Sequence, residues 1–234
     1  MNGAESLVRT LVNSGVNVCF TNPGTSEMHF VAALDRVEGM RCVLGLFEGV
    51  VTGAADGYYR IAGKPASTLL HLGPGLGNGL ANLHNARRAR SGIVNIVGEH
   101  ATYHIRHDAP LTSDIESIAR PMSSWVKRSQ SATSLADEVA EAVRAARTPP
   151  GNIATLIVPA DNQWSEASRD TTALAPPPRQ RVSKEAVIAA ANALRKGGKS
   201  SMLMLGGAAL TGRSLEIAGR IAAKTGCALS SEYA

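Results

Sequence analysis

Two hydrophobic periods take turns along this chain. Leu7, Val8, Leu11 and Val12 recur at helical spacing, Asn2 and Glu5 stand ahead of them in a capping-box arrangement, and Gly15 closes the stripe, so a first helix is predicted. A short β-branched run over 16–20 predicts a strand, a turn falls at 21–24, and a helix near 27–34 and a strand over 41–46 follow. The next helix, 48–61, carries Gly49, Gly53, Ala54, Ala55 and Gly57, small residues that cost helix propensity unless another backbone approaches closely. A strand over 66–72 leads through a glycine-rich loop at 73–79 into an alanine-containing helix and then a strand over 93–97. The stretch 99–112 has no period and reads as a loop. Ser113 caps a short helix, 125–128 forms a strand, Leu135, Val139 and Val143 mark a helix, and 153–158 is the last strand of the set. This alternation predicts an α/β fold, an open and mainly parallel sheet with helices on both faces.

The pattern then breaks. Residues 165–181 show no apolar period and contain Pro176-Pro177-Pro178, a semi-rigid extended segment. The expected division is a domain over 1–165, a proline-rich linker over 166–182, and the beginning of a second α/β domain over 183–234. In that last part Ser183 starts a helix to residue 194, and a strand at 202–205, the turn Gly206-Gly207, a helix at 213–224 and a strand from 227 follow. Roughly 50 residues with two strands cannot close a doubly wound sheet, so the second domain reads as incomplete.

Composition narrows the function classes. Hydrophobic residues are 44% and charged residues 18%, which excludes a disordered chain. The net charge is +5, but the basic residues are dispersed apart from Arg87-Arg88-Ala89-Arg90, which reads as a helix C-terminus; with 4% aromatics the chain is not expected to bind nucleic acid. No apolar stretch approaches the roughly 20 residues of a membrane helix, so no membrane partner is expected. Met1-Asn2-Gly3-Ala4-Glu5 lacks a basic n-region, and a cytoplasmic location is the expectation. Cys19, Cys42 and Cys227 are widely spaced among apolar neighbours and read as buried thiols, not as a zinc site.

The chemistry concentrates at predicted strand ends. The 73–79 run fails the G-x-G-x-x-G count, because the sixth position is Asn78 from Gly73 and Leu80 from Gly75, which disfavours a dinucleotide site. Glu48 stands at the carboxyl end of a predicted strand, where open α/β sheets bind ligands. A first-turn acid satisfying the helix dipole is the structural reading of Glu48. Its neighbours Phe47, Val50 and Val51 are expected to desolvate the carboxylate, the condition under which a Glu becomes a useful proton donor and acceptor.

Six linked motifs carry a resemblance. Asn22-Pro23-Gly24-Thr25-Ser26-Glu27, Phe47-Glu48-Gly49, Ala54-Ala55-Asp56-Gly57-Tyr58, Gly63-Lys64-Pro65, His71-Leu72-Gly73-Pro74-Gly75 and Gly77-Asn78-Gly79 follow one another in an order and spacing that resemble the pyrimidine-binding (PYR) domain of thiamine diphosphate-dependent enzymes, in the acetolactate synthase and benzoylformate decarboxylase group. The likeness covers residues 1–161, and the later segment resembles the start of that family's middle domain. It implies thiamine diphosphate as cofactor, with the Glu48 carboxyl on N1′ of the aminopyrimidine for C2 ylide formation. It further implies that Asn22, Pro23, Gly24, Gly73, Pro74, Gly75 and Asn78 line the cofactor, and that Thr25 and His71 face a small 2-oxo acid. His71 would be catalytic as well as substrate-binding, since His titrates near neutral pH. Mg²⁺ would be bound by a C-terminal domain that this sequence does not match, and FAD accompanies some members of the group. A homodimer or homotetramer through PYR domains is implied, as is a 2-oxo acid decarboxylase or a carboligase whose N-terminal part alone is inactive.

A PYR fold that has lost its chemistry and serves as a binding or regulatory module is the competing reading; retention of Glu48 argues against it. His84 calls for the same caution as the loop histidines His100, His104 and His107. Those three are spaced by four and three without a second ligand group, and are expected to line or cover the mouth of the site. Arg120, Pro121 and Lys127 read as structural.

Overall fold

The computed structural model describes residues 1–232 and divides into two compact units, Met1–Pro177 and Pro178–Ala234, the last two positions of the second lying outside the described residues. In the first unit α1 (Gly3–Asn13) begins where Asn2 Oδ1 accepts the Glu5 N–H at 2.9 Å, and it buries Leu7, Val8 and Leu11. Then come β1 (Val18–Asn22), a single 3-10 turn at Thr25–Glu27, α2 (Met28–Arg36), β2 (Arg41–Leu44), α3 (Glu48–Ala62) and β3 (Ala66–Leu70). The unit continues through α4 (Leu72–Arg88), β4 (Ile93–Glu99), α5 (Ile115–Ala119), β5 (Trp125–Arg128), α6 (Leu135–Arg147), β6 (Ile153–Pro159) and α7 (Ala160–Trp164).

All six strands run parallel in the order β2-β1-β3-β4-β6-β5. Every residue of β3, β4 and β6 is buried, as parallel strands covered on both faces must be. One core joins α1, α2 and α6 to the sheet, and a second joins α3, α4 and α5 to its other face. The expected α/β sheet with helices on both faces is what the chain forms. From β1 the chain moves outward to β2 and then returns past β1 to β3, so the connections after β1 and β3 diverge. That divergence opens a crevice at their carboxyl ends.

Several local expectations are corrected. The 73–79 glycine run is not a loop: it forms the first turns of α4, because close packing on α3 outweighs the propensity cost. A Cβ at Gly79 would stand 2.9 Å from Thr52 Cγ2. Asn22 belongs to β1, not to the turn, and β3 ends at Leu70, so that His71 sits at the N-cap of α4. Leu72, fully buried, takes φ +48° at this sharp entry, a conformation few side chains adopt. Asp114, not Ser113, caps α5, accepting the Ser117 N–H at 3.1 Å. Cys19 and Cys227 are buried, but Cys42 is exposed because β2 is an edge strand with one face uncovered. The segment read as a linker, 166–182, is laid on α1 through residue 173: Ser6 Oγ donates to Arg169 O at 2.6 Å, and Ala173 N–H donates to Ser14 Oγ at 2.9 Å.

The second unit contains α8 (Lys184–Gly197), β7 (Met202–Leu205), α9 (Gly212–Thr225) and β8 (Ala228–Ser231), with β7 and β8 parallel. Ser183 Oγ caps α8 by accepting the Ala186 N–H at 3.1 Å. Among its described residues only Ala218 and Cys227 are buried.

Candidate functional site

The crevice between the ends of β1 and β3 gathers the chemistry. Glu48 is the first residue of α3, where the helix dipole favours its charge, and its Oε2 accepts from Asn78 Nδ2 of α4 at 3.0 Å. Its carboxylate is half-buried, and Phe47 and Val50 beside it are exposed, so the expected apolar enclosure of Glu48 is not supplied by those neighbours. Thr52 Oγ1 donates to Gly79 O at 3.0 Å and Asn82 Nδ2 to Gly49 O at 2.7 Å, which lock α3 to α4 and hold the Glu48–Asn78 pair in place.

His71 closes the other side. Its Nδ1 lies 2.8 Å from Glu27 Oε2, and that same oxygen accepts the Gly24 N–H at 2.7 Å. The Glu27 side chain has no exposed surface. The hydrogen bond to Glu27 holds the His71 imidazolium above the usual histidine value; burial opposes this, and the charges of Glu27 and then Glu48 reinforce it. A Cβ at Gly24 would collide with the His71 ring, so glycine is required for this approach. A Cβ at Gly75 would lie 3.4 Å from Glu48 Oε1 and 3.5 Å from His71 Cβ, so one methyl-sized spot touches both candidate groups.

The remaining sequence-derived candidates divide. Asn22 uses its side chain to tie β1 to the loop after β2, Nδ2 donating to Gly45 O at 2.8 Å. Thr25 and Pro74 are exposed at the rim. Gly73 faces away, against Ser113 of the 99–114 loop. Pro23 lines a cavity of about 300 Å³ with Val31, Leu34, Cys42 and Leu44; neither Glu48 nor His71 lines it. In the 99–114 loop the rings of His100, His104 and His107 lie in succession with centroids 5.5 Å apart, edge-on for the first pair and tilted for the second, and among the described residues no three His, Cys, Asp or Glu side chains gather as a metal site. The residue that sequence reasoning passed over is Glu27. Its signal was the spacing of Gly24 and Glu27, a carboxylate three residues after a backbone N–H that needs an acceptor.

Residues 1–118, half of the chain, match the family model described as thiamine pyrophosphate enzyme, N-terminal TPP binding domain. The chain belongs to that family. It is 54% identical over 226 residues to the Mycobacterium tuberculosis protein named "Putative acetolactate synthase large subunit IlvX", covering 97% of this chain and 43% of that one. It is 33% identical over 153 residues to benzoylformate decarboxylase of Pseudomonas aeruginosa, covering 65% and 28%. Its fold matches the solved Rhodococcus jostii RHA1 thiamine diphosphate-dependent 4-hydroxybenzoylformate decarboxylase with a TM-score of 0.83 at 24% identity, over 99% of this chain and 44% of that one. The chain spans less than half the length of these relatives. It therefore carries the N-terminal domain of a thiamine pyrophosphate enzyme, in the acetolactate synthase-like and decarboxylase branch. Among the described residues no helix is long and apolar enough to cross a membrane.

In this thiamine pyrophosphate enzyme domain an aminopyrimidine entering the crevice would meet one unpartnered carboxylate oxygen. Glu48 Oε1 accepts from no described residue, and it stands over Gly75, where the lack of a side chain leaves a surface for a flat ring. Asn78 fixes the other oxygen, so the carboxyl group leaves one defined atom free among the described residues.

Proposed function

We propose that this chain forms the pyrimidine side of the thiamine diphosphate site of a 2-oxo acid decarboxylase or carboligase, with Glu48 as the group that holds and moves the proton at the cofactor's N1′. The observation that supports it most is the pairing of Glu48 and His71 across Gly75, each oriented by a partner of its own, Asn78 and Glu27. When bound, the thiazolium supplies the electron sink for cleavage of the carbon–carbon bond beside the carbonyl. Glu48 exchanges one proton through Oε1 while Asn78 keeps the carboxyl from rotating. Gly24 and Gly75 let the walls approach closely, and His71 faces the small 2-oxo acid from the end of β3, beside Thr25 at the rim. The same reading assigns Mg²⁺ and the diphosphate to another part of the enzyme, and completes the site by pairing copies in a homodimer or homotetramer.

The test is proton exchange at C2 of the cofactor, followed by NMR in deuterium oxide on the complete enzyme. Glu48→Gln keeps the shape but cannot carry the proton, so exchange falls by at least about 10²-fold. Exchange at the parent rate overturns the assignment.

A further inference from the structure

We propose that Glu27 is a positioning residue for His71, clamping Nδ1–H so that the ring stays an imidazolium and offers Nε2–H as the acid that protonates the substrate. This deepens the function proposed above and rests on its placement of His71.

Glu27 is an expensive residue to bury. Its side chain is fully enclosed, Oε2 takes both the Gly24 N–H and the His71 nitrogen, and Oε1 has no hydrogen-bond partner among the described residues. A carboxylate in such a place needs a cation, and His71 is its ion-pair partner among the described residues. Two glycines on separate elements make room for the pair: a Cβ at Gly24 would strike the His71 ring, and a Cβ at Gly98 of β4 would strike the Glu27 carboxylate. An acid that served only to cap the 3-10 turn needs the Gly24 contact, not the enclosure by β4 and not the imidazole.

The charged groups that face the His71 ring are Glu27 from the 3-10 turn and Glu48 from α3, both acidic, and β4 presents Gly98 at the pair. Glu99, next along β4, is already matched by Arg128 Nη1 at 2.9 Å. With Nδ1 committed, Nε2 is the one ring nitrogen that can trade a proton, and it has no protein partner among the described residues. Loss of carbon dioxide from a 2-oxo acid anion to give an aldehyde takes up one proton. His71 gives Nε2–H to the substrate carbon, remains as the neutral ring with Nδ1–H on Glu27, and regains a proton from water.

The experiment follows the imidazole signals of His71 by NMR titration in the 234-residue chain, in the parent, Glu27→Gln and Glu27→Asp. The parent His71 is expected to titrate above the ordinary histidine value of about 6.5, Glu27→Gln to lower its midpoint, and Glu27→Asp to fall between, since it keeps the charge at a longer reach. In the complete enzyme the alkaline limb of kcat/KM moves to lower pH in Glu27→Gln, and kcat above that limb falls by about 10²-fold, recovering toward acid pH. A parent His71 midpoint at or below about pH 6.5 overturns the inference even if Glu27→Gln does not fold, and so does an unmoved midpoint in Glu27→Gln. A lowered midpoint beside an unmoved pH profile upholds the clamp and overturns the placement of His71 on the substrate, so the two failures are told apart.

Discussion

His71 and Glu27 tie the stability of the fold to pH through a single contact. The folded-state value of His71 is raised, chiefly by its hydrogen bond to Glu27, so the pair's contribution is fully present below about pH 6.5, the unfolded value, and is lost as pH climbs through the raised folded value. The urea midpoint of the parent is therefore expected to fall between pH 6 and pH 9, and His71→Asn to flatten that slope; a parent midpoint that rises over this window contradicts the ion pair. A second residue-scale expectation concerns the thiols. Burial pushes the Cys19 thiol up to about 12, and Cys227 is also buried, so an alkylating reagent should label only Cys42 in the folded chain, as read by mass spectrometry. Cys42 was misjudged from its apolar neighbours, because sequence shows what flanks a residue but not that its strand lies at a sheet edge. Glu48, His71 and Asn78 were legible since their motifs are local. The Glu27–His71 pairing was not, since it joins residues 44 apart that meet only when β1 and β3 become neighbours.

Among the elements, β3, β4 and β6 carry a polar rung through an otherwise apolar layer. Thr68 Oγ1 donates to Asn95 Oδ1 at 2.7 Å, Asn95 Nδ2 donates to Thr155 Oγ1 at 3.0 Å, and Thr155 Oγ1 lies 2.7 Å from Ser123 Oγ. Asn95→Leu leaves the fully buried Thr68 hydroxyl without its acceptor, and is expected to cost about 1–3 kcal/mol in urea unfolding. Loss of less than the error of the measurement would mean the rung is replaceable by packing. The parallel strands themselves were readable from their β-branched runs, and the helical stripes gave α1 nearly to its ends and the existence of α6. Where the reading failed, at the start of α4, a local rule met a nonlocal one: glycines at 73, 75, 77 and 79 weaken a helix alone, yet Gly79 and Gly75 are the positions that admit Thr52 and Glu48.

For the molecule as a whole, Leu44, Leu46, Phe47 and Val50, which flank Glu48 along the chain, are all exposed, Leu46 at 91%. Exposed apolar side chains on either side of Glu48 in the sequence fit the pairing of copies proposed above. Val50→Glu with Leu46→Glu is expected to shift the complete enzyme toward monomer in light scattering and to reduce activity with it; an unchanged mass removes this face from the assembly. The boundary between the two units carries a practical lesson of a different kind. Residues 166–173 run as a strap over α1, with Ala167 N–H on Met1 O at 3.0 Å, Ser6 Oγ on Arg169 O at 2.6 Å, Thr171 N–H on Thr10 Oγ1 at 3.2 Å and Ala173 N–H on Ser14 Oγ at 2.9 Å. Four bonds at roughly 1 kcal/mol each are a large share of a small domain's stability. Anyone trimming this protein for crystals or spectroscopy where the apolar period stops would cut after residue 165 and strip the strap. That shortened form should melt roughly 8–16 °C below one ending at Pro177.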